Sequence, residues 1–97
     1  TVVHYINDTI QDINNDADLD DLAKHWSEMK GFGLSMQFNP HSALSDADFE
    51  TVHTLMGTNP ERTQDYVNDL LAARDILGTA YGIDADNLGD ANGENGW

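Results

Sequence analysis

The chain has 97 residues, and 4 Lys and Arg stand against 18 Asp and Glu, which gives a formal net charge of −14. A chain of this length forms one domain around one core. Nucleic acids and anionic membrane surfaces are bound through Lys and Arg, so the charge argues against both as partners. Cysteine is absent, which excludes disulfides and thiolate metal sites. No apolar run approaches the length of a transmembrane helix.

The first predicted helix begins at the N-terminus of the chain. Val3, Ile6, Ile10 and Ile13 are spaced three, four and three residues apart, which is typical of one buried helix face. The chain starts inside this apolar pattern and without Met. We therefore expect a piece of a longer protein whose missing N-terminal portion carries any signal or lipid anchor.

A second helix is predicted after a turn at residues 14–16, with Asp16 or Asp18 as its N-cap. It is expected to end near Phe38, because the residue before Pro40 avoids the helical conformation. Its two glycines, Gly31 and Gly33, indicate the close approach of a neighbouring helix. Its inward face is formed by Leu19, Leu22, Trp26, Met29, Gly33 and Met36.

Two further helices are predicted from their start and stop signals. Ser45 begins the third and Gly57 ends it, while Asn59 caps the fourth, with Pro60 in its first position, and Gly82 ends it. Their inward faces are Phe49, Val52, His53 and Met56 in the third, and Tyr66, Leu70, Ala73, Leu77 and Tyr81 in the fourth. The predicted fold is an all-α antiparallel bundle of about four helices over residues 1–82. Residues 83–97 are predicted to be an acidic Asp/Asn/Gly-rich tail, mostly disordered.

His25 and Glu28 form the most informative pair for a binding site. At positions i and i+3 they project from one helix face, where an imidazole and a carboxylate can jointly ligate a divalent metal such as iron or zinc. His53 on the third helix is the candidate third ligand. The alternative for each histidine is a half-buried side chain that is hydrogen-bonded locally.

Arg74 is the second unusual residue, because it lies on an apolar arc where an unpaired charge is costly. We expect it to form a structural ion pair with an acidic residue on a facing helix, Glu28 being one candidate. That pairing would make Glu28 a structural residue and not a ligand. The alternative is an Arg whose stem packs while its head stays in water.

Other catalytic and metal-binding patterns are absent from the sequence. The acidic runs lack the glycine and the final Glu of a calcium loop. There is no Ser-His-Asp grouping, no glycine-rich phosphate loop and no H-E-x-x-H signature. The chain is therefore not expected to be an autonomous hydrolase.

The segment from Ala23 to Phe32, continuing to Pro40, resembles an uncharacterised family of helical bacterial envelope lipoproteins related to imelysins. Those proteins carry a G-x-H-x-x-E motif on a bundle helix, and His25 and Glu28 match its last two named positions, although no glycine precedes them here. The resemblance is strongest over residues 20–60. It implies the C-terminal portion of a larger all-α protein of the periplasm or outer membrane, associated with iron acquisition.

The resulting functional hypothesis is a binding protein and not an enzyme. It takes a metal ion or metal-bearing ligand at His25 and Glu28, with His53 contributing, in connection with iron uptake. A different class of function is a metal-free interaction module that docks a partner, including the missing portion of the same protein, or forms a homo-oligomer. A third hypothesis is a metallopeptidase fragment with Glu28 as base.

Overall fold

The structure is a computed structural model that describes residues 1–36 and 43–97. Within those residues the fold is an all-α helical bundle without strands, as the sequence predicts. The helices are α1 (Val2–Asn14), α2 (Leu19–Ser35), α3 (Asp46–Met56), α4 (Gln64–Tyr81) and the short α5 (Ala85–Leu88). None of the helices in the described part of the chain is long and apolar enough to cross a membrane.

The helices α2, α3 and α4 each begin after a side-chain cap, and two of these three caps were predicted. The Asp18 carboxylate accepts a hydrogen bond from the Asp21 N–H at 2.9 Å, and the Ser45 hydroxyl accepts one from the Asp48 N–H at 3.1 Å. The predicted cap at Asn59 is wrong, because α4 begins only at Gln64, where the Thr63 hydroxyl accepts from the Tyr66 N–H at 3.1 Å.

The late start of α4 has a physical reason in the segment that precedes it. Arg62 reaches back to the turn between α1 and α2, where it donates to the Ala17 carbonyl at 2.5 Å and lies 3.3 Å from the Asp16 carboxylate. Holding the chain on that turn keeps residues 58–62 out of the helical conformation. The predicted ends at Gly57 and Gly82 are confirmed, with φ of 75° and 63°. The predicted end of the second helix at Phe38 lies outside the described residues.

The core lies between α1, α2, α3 and α4 and contains most of the predicted inward residues. Leu19 and Tyr81 were predicted to face inward but are exposed. Gly33 packs against the His53 ring, as expected for a close approach, whereas Gly31 has open space around it. The core side chains are Val2, Val3, Ile6, Ile10, Met29, Val52, Met56, Tyr66, Val67, Leu70, Ala73 and Leu77.

Residues 83–97 are folded against the bundle, in contrast to the mostly disordered tail that was predicted. The Asn7 side-chain amide on α1 donates to the Leu88 carbonyl at 2.9 Å and to the Trp97 carbonyl at 3.0 Å. Gln11 on the same helix donates to the Gly93 carbonyl. Side chains of the bundle thus supply hydrogen bonds to backbone carbonyls of residues 83–97, a segment that has few apolar residues of its own.

Candidate functional site

The candidate site is a cluster of alternating imidazoles and carboxylates where α1 meets α2. His4, Asp8 and Asp12 lie four residues apart along α1 and therefore share one helix face. His25 on α2 packs against that face. Two carboxylates at this spacing repel each other, and an imidazole between them offsets the repulsion. We call His4, Asp8, Asp12 and His25 the His/Asp cluster.

His25 is the centre of the His/Asp cluster, and its two ring nitrogens face different carboxylates. Nδ1–H donates to Asp12 Oδ2 at 2.5 Å, and Nε2 lies 3.9 Å from Asp8 Oδ2. The same Asp8 oxygen lies 3.1 Å from His4 Nε2. One carboxylate oxygen of Asp8 therefore stands between the Nε2 atoms of two imidazoles.

The electrostatics of the cluster favour a positive charge at its centre. The hydrogen bond to Asp12 raises the pKa of His25 above its usual value, and the charges of Asp12, Asp8 and Glu28 act in the same direction. Partial burial acts against these contributions. A metal ion binds the neutral imidazole, so a divalent cation at His25 Nε2 would have to displace this proton.

Glu28 belongs to the surroundings of the cluster and interacts with Tyr5 of α1. The Glu28 carboxylate is the largest cause of a raised pKa of Tyr5. The Tyr5 ring in turn stacks on Phe32, with centroids 5.3 Å apart and planes 8° from parallel. Glu28 is thus tied to an aromatic pair beside His25.

His53, the predicted third metal ligand, lies in a separate half-buried environment. Lys30 Nζ donates to His53 Nδ1 at 3.2 Å, and the ring packs 4.5 Å from the ring of Phe49. Its Nε2 is buried beside Gly33 and lacks a hydrogen-bond partner of good geometry. Burial and the Lys30 charge both lower the pKa of His53.

The structure does not bring His25, Glu28 and His53 together as a metal site. Within residues 1–36 and 43–97, no group of three or more His, Asp or Glu side chains is arranged so that it could hold a metal ion. His25 was predicted as a site residue together with Glu28 of its own helix and His53 of α3. Its observed partners come from α1.

Arg74 is buried, as its apolar surroundings predicted, but the expected ion pair with Glu28 is not formed. Its Nη1 donates to Asn7 Oδ1 at 2.8 Å and to the Asp90 carbonyl at 2.9 Å, and its Nη2 donates to the Gly89 carbonyl at 3.1 Å. The partners of the guanidinium are therefore neutral oxygens of α1 and the tail. The Glu28 carboxylate instead raises the pKa of Tyr5.

Asp8 and Asp12 were not among the residues predicted for the site. A signal for both was present, since His4, Asp8 and Asp12 repeat at the four-residue spacing of one helix face. That spacing does not reveal which residue of the next helix faces them. Only the packing of α1 on α2 places His25 against Asp12.

A second surface feature is an apolar groove at the N-terminal end of α1 and the C-terminal end of α2, with a volume of about 510 Å³. Phe32, Tyr81 and Trp97 are among its exposed aromatic residues. No Asp, Glu, Lys, Arg or His is among the described residues that line it. Those residues are Thr1, Val2, Val3, Phe32, Ser35, Met36, Leu77, Tyr81, Ile83 and Trp97.

Comparison with known proteins returns no family model, no curated protein and no solved structure that matches this chain.

Proposed function

We propose that this chain is a metal-binding module in which His25 is the central ligand. The observation that supports this proposal is the hydrogen bond from His25 Nδ1–H to Asp12 at 2.5 Å. In a neutral imidazole that bond leaves the lone pair on Nε2. Nε2 faces Asp8, so a cation bound there would meet an imidazole nitrogen and a carboxylate oxygen together.

The arrangement around His25 matches the way proteins prepare a histidine to bind a metal. A ligating imidazole usually donates its other N–H to a carboxylate or carbonyl, which fixes the tautomer and the orientation of the ring. Asp12 is in position to do this, with its side chain 14% exposed. His25 itself is 28% exposed, so water and small ions can reach it.

The proposed ligand is a divalent transition metal, iron or zinc, and the proposed context is iron uptake in the envelope of a bacterium. The ligand class follows from the imidazole and carboxylate donors. The context rests on the resemblance of residues 20–60 to imelysin-like proteins. In that context the chain is part of a periplasmic or outer-membrane-anchored protein and acts by binding.

The experiment that tests the proposal is calorimetric titration of metal-free protein with Zn²⁺, Fe²⁺ and Ca²⁺ near neutral pH. We expect saturable binding of Zn²⁺ or Fe²⁺ that is lost in His25→Ala. Glu28→Gln is the matched control, because it removes a carboxylate that acts on His25 through its charge and not through a hydrogen bond. Binding that survives His25→Ala would overturn the proposal, and binding lost in Glu28→Gln would favour the predicted His25 and Glu28 pair.

A second candidate function is self-association through the apolar groove, and its support is a lining without charged side chains in a chain of net charge −14. A second copy of this chain can cover such a surface without stripping water from charged side chains. Light scattering in the presence of a chelator tests it. A dimer that Phe32→Asp dissociates supports this function, and a monomer at all concentrations excludes it.

A further inference from the structure

The walls of the apolar groove are held in place by contacts within the chain. Phe32 forms one wall, and its ring stacks on Tyr5 with centroids 5.3 Å apart. Trp97 forms another, and its N–H donates to the Asn87 carbonyl at 2.8 Å while its own carbonyl accepts from the Asn7 amide at 3.0 Å. A groove that is formed in advance loses little conformational entropy when it binds a partner.

The groove presents the kinds of side chain that dominate protein–protein interfaces. Phe32 is 45% exposed, Tyr81 39% and Trp97 50%, and Met36 lies in the same lining. Aromatic residues and Met are enriched in interfaces, and aromatic residues supply much of the binding energy there. The groove is therefore suited to apolar side chains inserted by a protein partner.

The surroundings of the groove are acidic. Glu28 lines an adjoining hollow, which shares Phe32 and Ser35 with the groove. In the tail, Asp84 directly follows the lining residue Ile83, is exposed and makes no side-chain cap hydrogen bond to α5. None of the four Lys and Arg residues of the chain is among the described residues that line the groove or the hollow.

This charge decides between a second copy of the chain and a partner of different composition. In a symmetric dimer the same patch of both copies meets, so the carboxylates around one groove would approach those around the other. Each copy also carries a net charge of −14, and like charges that meet at an interface oppose association. A basic partner is attracted by the same carboxylates.

We infer that the apolar groove binds a basic amphipathic helix of another protein, whose Lys or Arg side chains lie against Glu28 and Asp84. Such a helix fills an apolar groove with residues at positions i, i+3, i+4 and i+7. The described residues contain no strand to which an extended peptide could add. The inference is independent of the proposed metal and competes with self-association for the same groove.

The test is selection from a displayed library of helical peptides that vary at apolar and flanking positions, with the whole chain as bait and a chelator present. We expect enrichment of peptides with aromatic or aliphatic residues at i, i+3, i+4 and i+7 and with Lys or Arg beside them. An enriched peptide is then labelled and its affinity measured by fluorescence anisotropy.

Variants of the chain locate the bound peptide. Phe32→Ala should weaken its binding at least about 10-fold, whereas Leu19→Ala, which removes another exposed apolar side chain at the far end of α2, should not. Ser35→Arg should also prevent binding, because it fills the groove from an exposed position outside the core. Circular dichroism of all three variants should match that of the parent chain.

The role of the acidic surroundings is tested by the salt dependence of binding. Glu28→Gln combined with Asp84→Asn should weaken binding and reduce its salt dependence, whereas Glu50→Gln, at an exposed position of α3, should change neither. Enrichment of peptides without Lys or Arg, or of none, would overturn the inference. Binding that Phe32→Ala and Ser35→Arg leave unchanged would show attraction to net charge alone. A dimer of the chain that Phe32→Ala dissociates, with no peptide enriched, would make a second copy the occupant.

Discussion

Asn7 on α1 and Arg74 on α4, 67 positions apart, are joined by a buried hydrogen bond of 2.8 Å from the Arg74 guanidinium to the Asn7 side-chain oxygen. The amide nitrogen of the same Asn7 side chain donates to the Leu88 and Trp97 carbonyls. One amide thus links the first helix, the last long helix and the tail. Several testable consequences depend on this residue and on the His/Asp cluster.

Asn7→Ala should lower the free energy of unfolding by about 1–3 kcal/mol, because it removes one acceptor of the buried Arg74 guanidinium and the side-chain donor of two tail carbonyls. Urea unfolding measures the effect. The matched control is Asn68→Ala on α4, an exposed Asn that accepts a hydrogen bond from Gln64. That change should stay within about 0.5 kcal/mol of the parent protein, and equal losses for the two variants would contradict the role of Asn7.

A double-mutant cycle distinguishes the observed partner of Arg74 from the one predicted by sequence. Asn7→Ala combined with Arg74→Met should show a coupling of about 0.5–3 kcal/mol, since the two residues are in contact. Glu28→Gln combined with Arg74→Met should be additive within about 0.5 kcal/mol. A coupling between Glu28 and Arg74 above about 0.5 kcal/mol would support the predicted ion pair instead.

Gly93→Ala should displace the tail from α1. A Cβ at this position would lie 2.5 Å from the Asn7 backbone oxygen, and the glycine has a φ of 74°, which side chains disfavour. Hydrogen exchange at the Trp97 amide, which donates to the Asn87 carbonyl at 2.8 Å, should accelerate. Gly31→Ala is the control, because nothing lies within 4 Å of that position and alanine favours a helix by about 1 kcal/mol.

Alkaline pH should destabilise the protein through Tyr66. Burial raises the pKa of Tyr66 to about 12, and its hydroxyl accepts a hydrogen bond from Trp26 and donates one to the Met56 carbonyl. A pKa raised above the unfolded value of about 10 gives stability that is present below pH 10 and is lost as the pH rises towards 12.

Urea unfolding between pH 8 and 11 checks the role of Tyr66. The parent protein should lose stability above about pH 10 more steeply than Tyr66→Phe, which has no proton to lose there. If the free energies of unfolding of the parent protein and of Tyr66→Phe fall equally with pH, the loss of stability is due to general charge repulsion and not to Tyr66.

Removal of metal should leave the fold intact, because the bundle core is apolar and does not include the His/Asp cluster. A chelator should therefore not change the far-ultraviolet circular dichroism. Excess Zn²⁺ should raise the melting temperature, with a stabilisation of about 2.7 kcal/mol at 100 times the dissociation constant. The same Zn²⁺ should not shift the melting temperature of His25→Ala, and unfolding by the chelator would contradict a site on the bundle surface.

The four longer helices could be predicted from the sequence because their signals are local, whereas the short α5 was not predicted. The spacing of Ile6 and Ile10, the cap at Ser45 and the glycine at position 82 each act within one or two helical turns. The start of α4 could not be predicted, since it depends on the contact of Arg62 with the Ala17 carbonyl, 45 positions away.

The candidate site and the tail were predicted poorly for the same physical reason. His25 was identified from its own helix, but Asp8 and Asp12 became its neighbours only through helix packing. The composition of residues 83–97 is typical of disorder, yet Asn7 and Arg74 supply the hydrogen bonds that order it. The position of Arg74 on an apolar face did indicate from the sequence that its guanidinium has hydrogen-bond acceptors elsewhere in the chain.

The contact between Asn7 and Trp97 also constrains the order of folding. During synthesis α1 leaves the ribosome first, while the carbonyl that its buried amide requires belongs to a residue 90 positions later. Closing so long a loop costs conformational entropy that only the finished packing repays. The first helix is thus expected to dock in its final position among the last events of folding, even though it is made first.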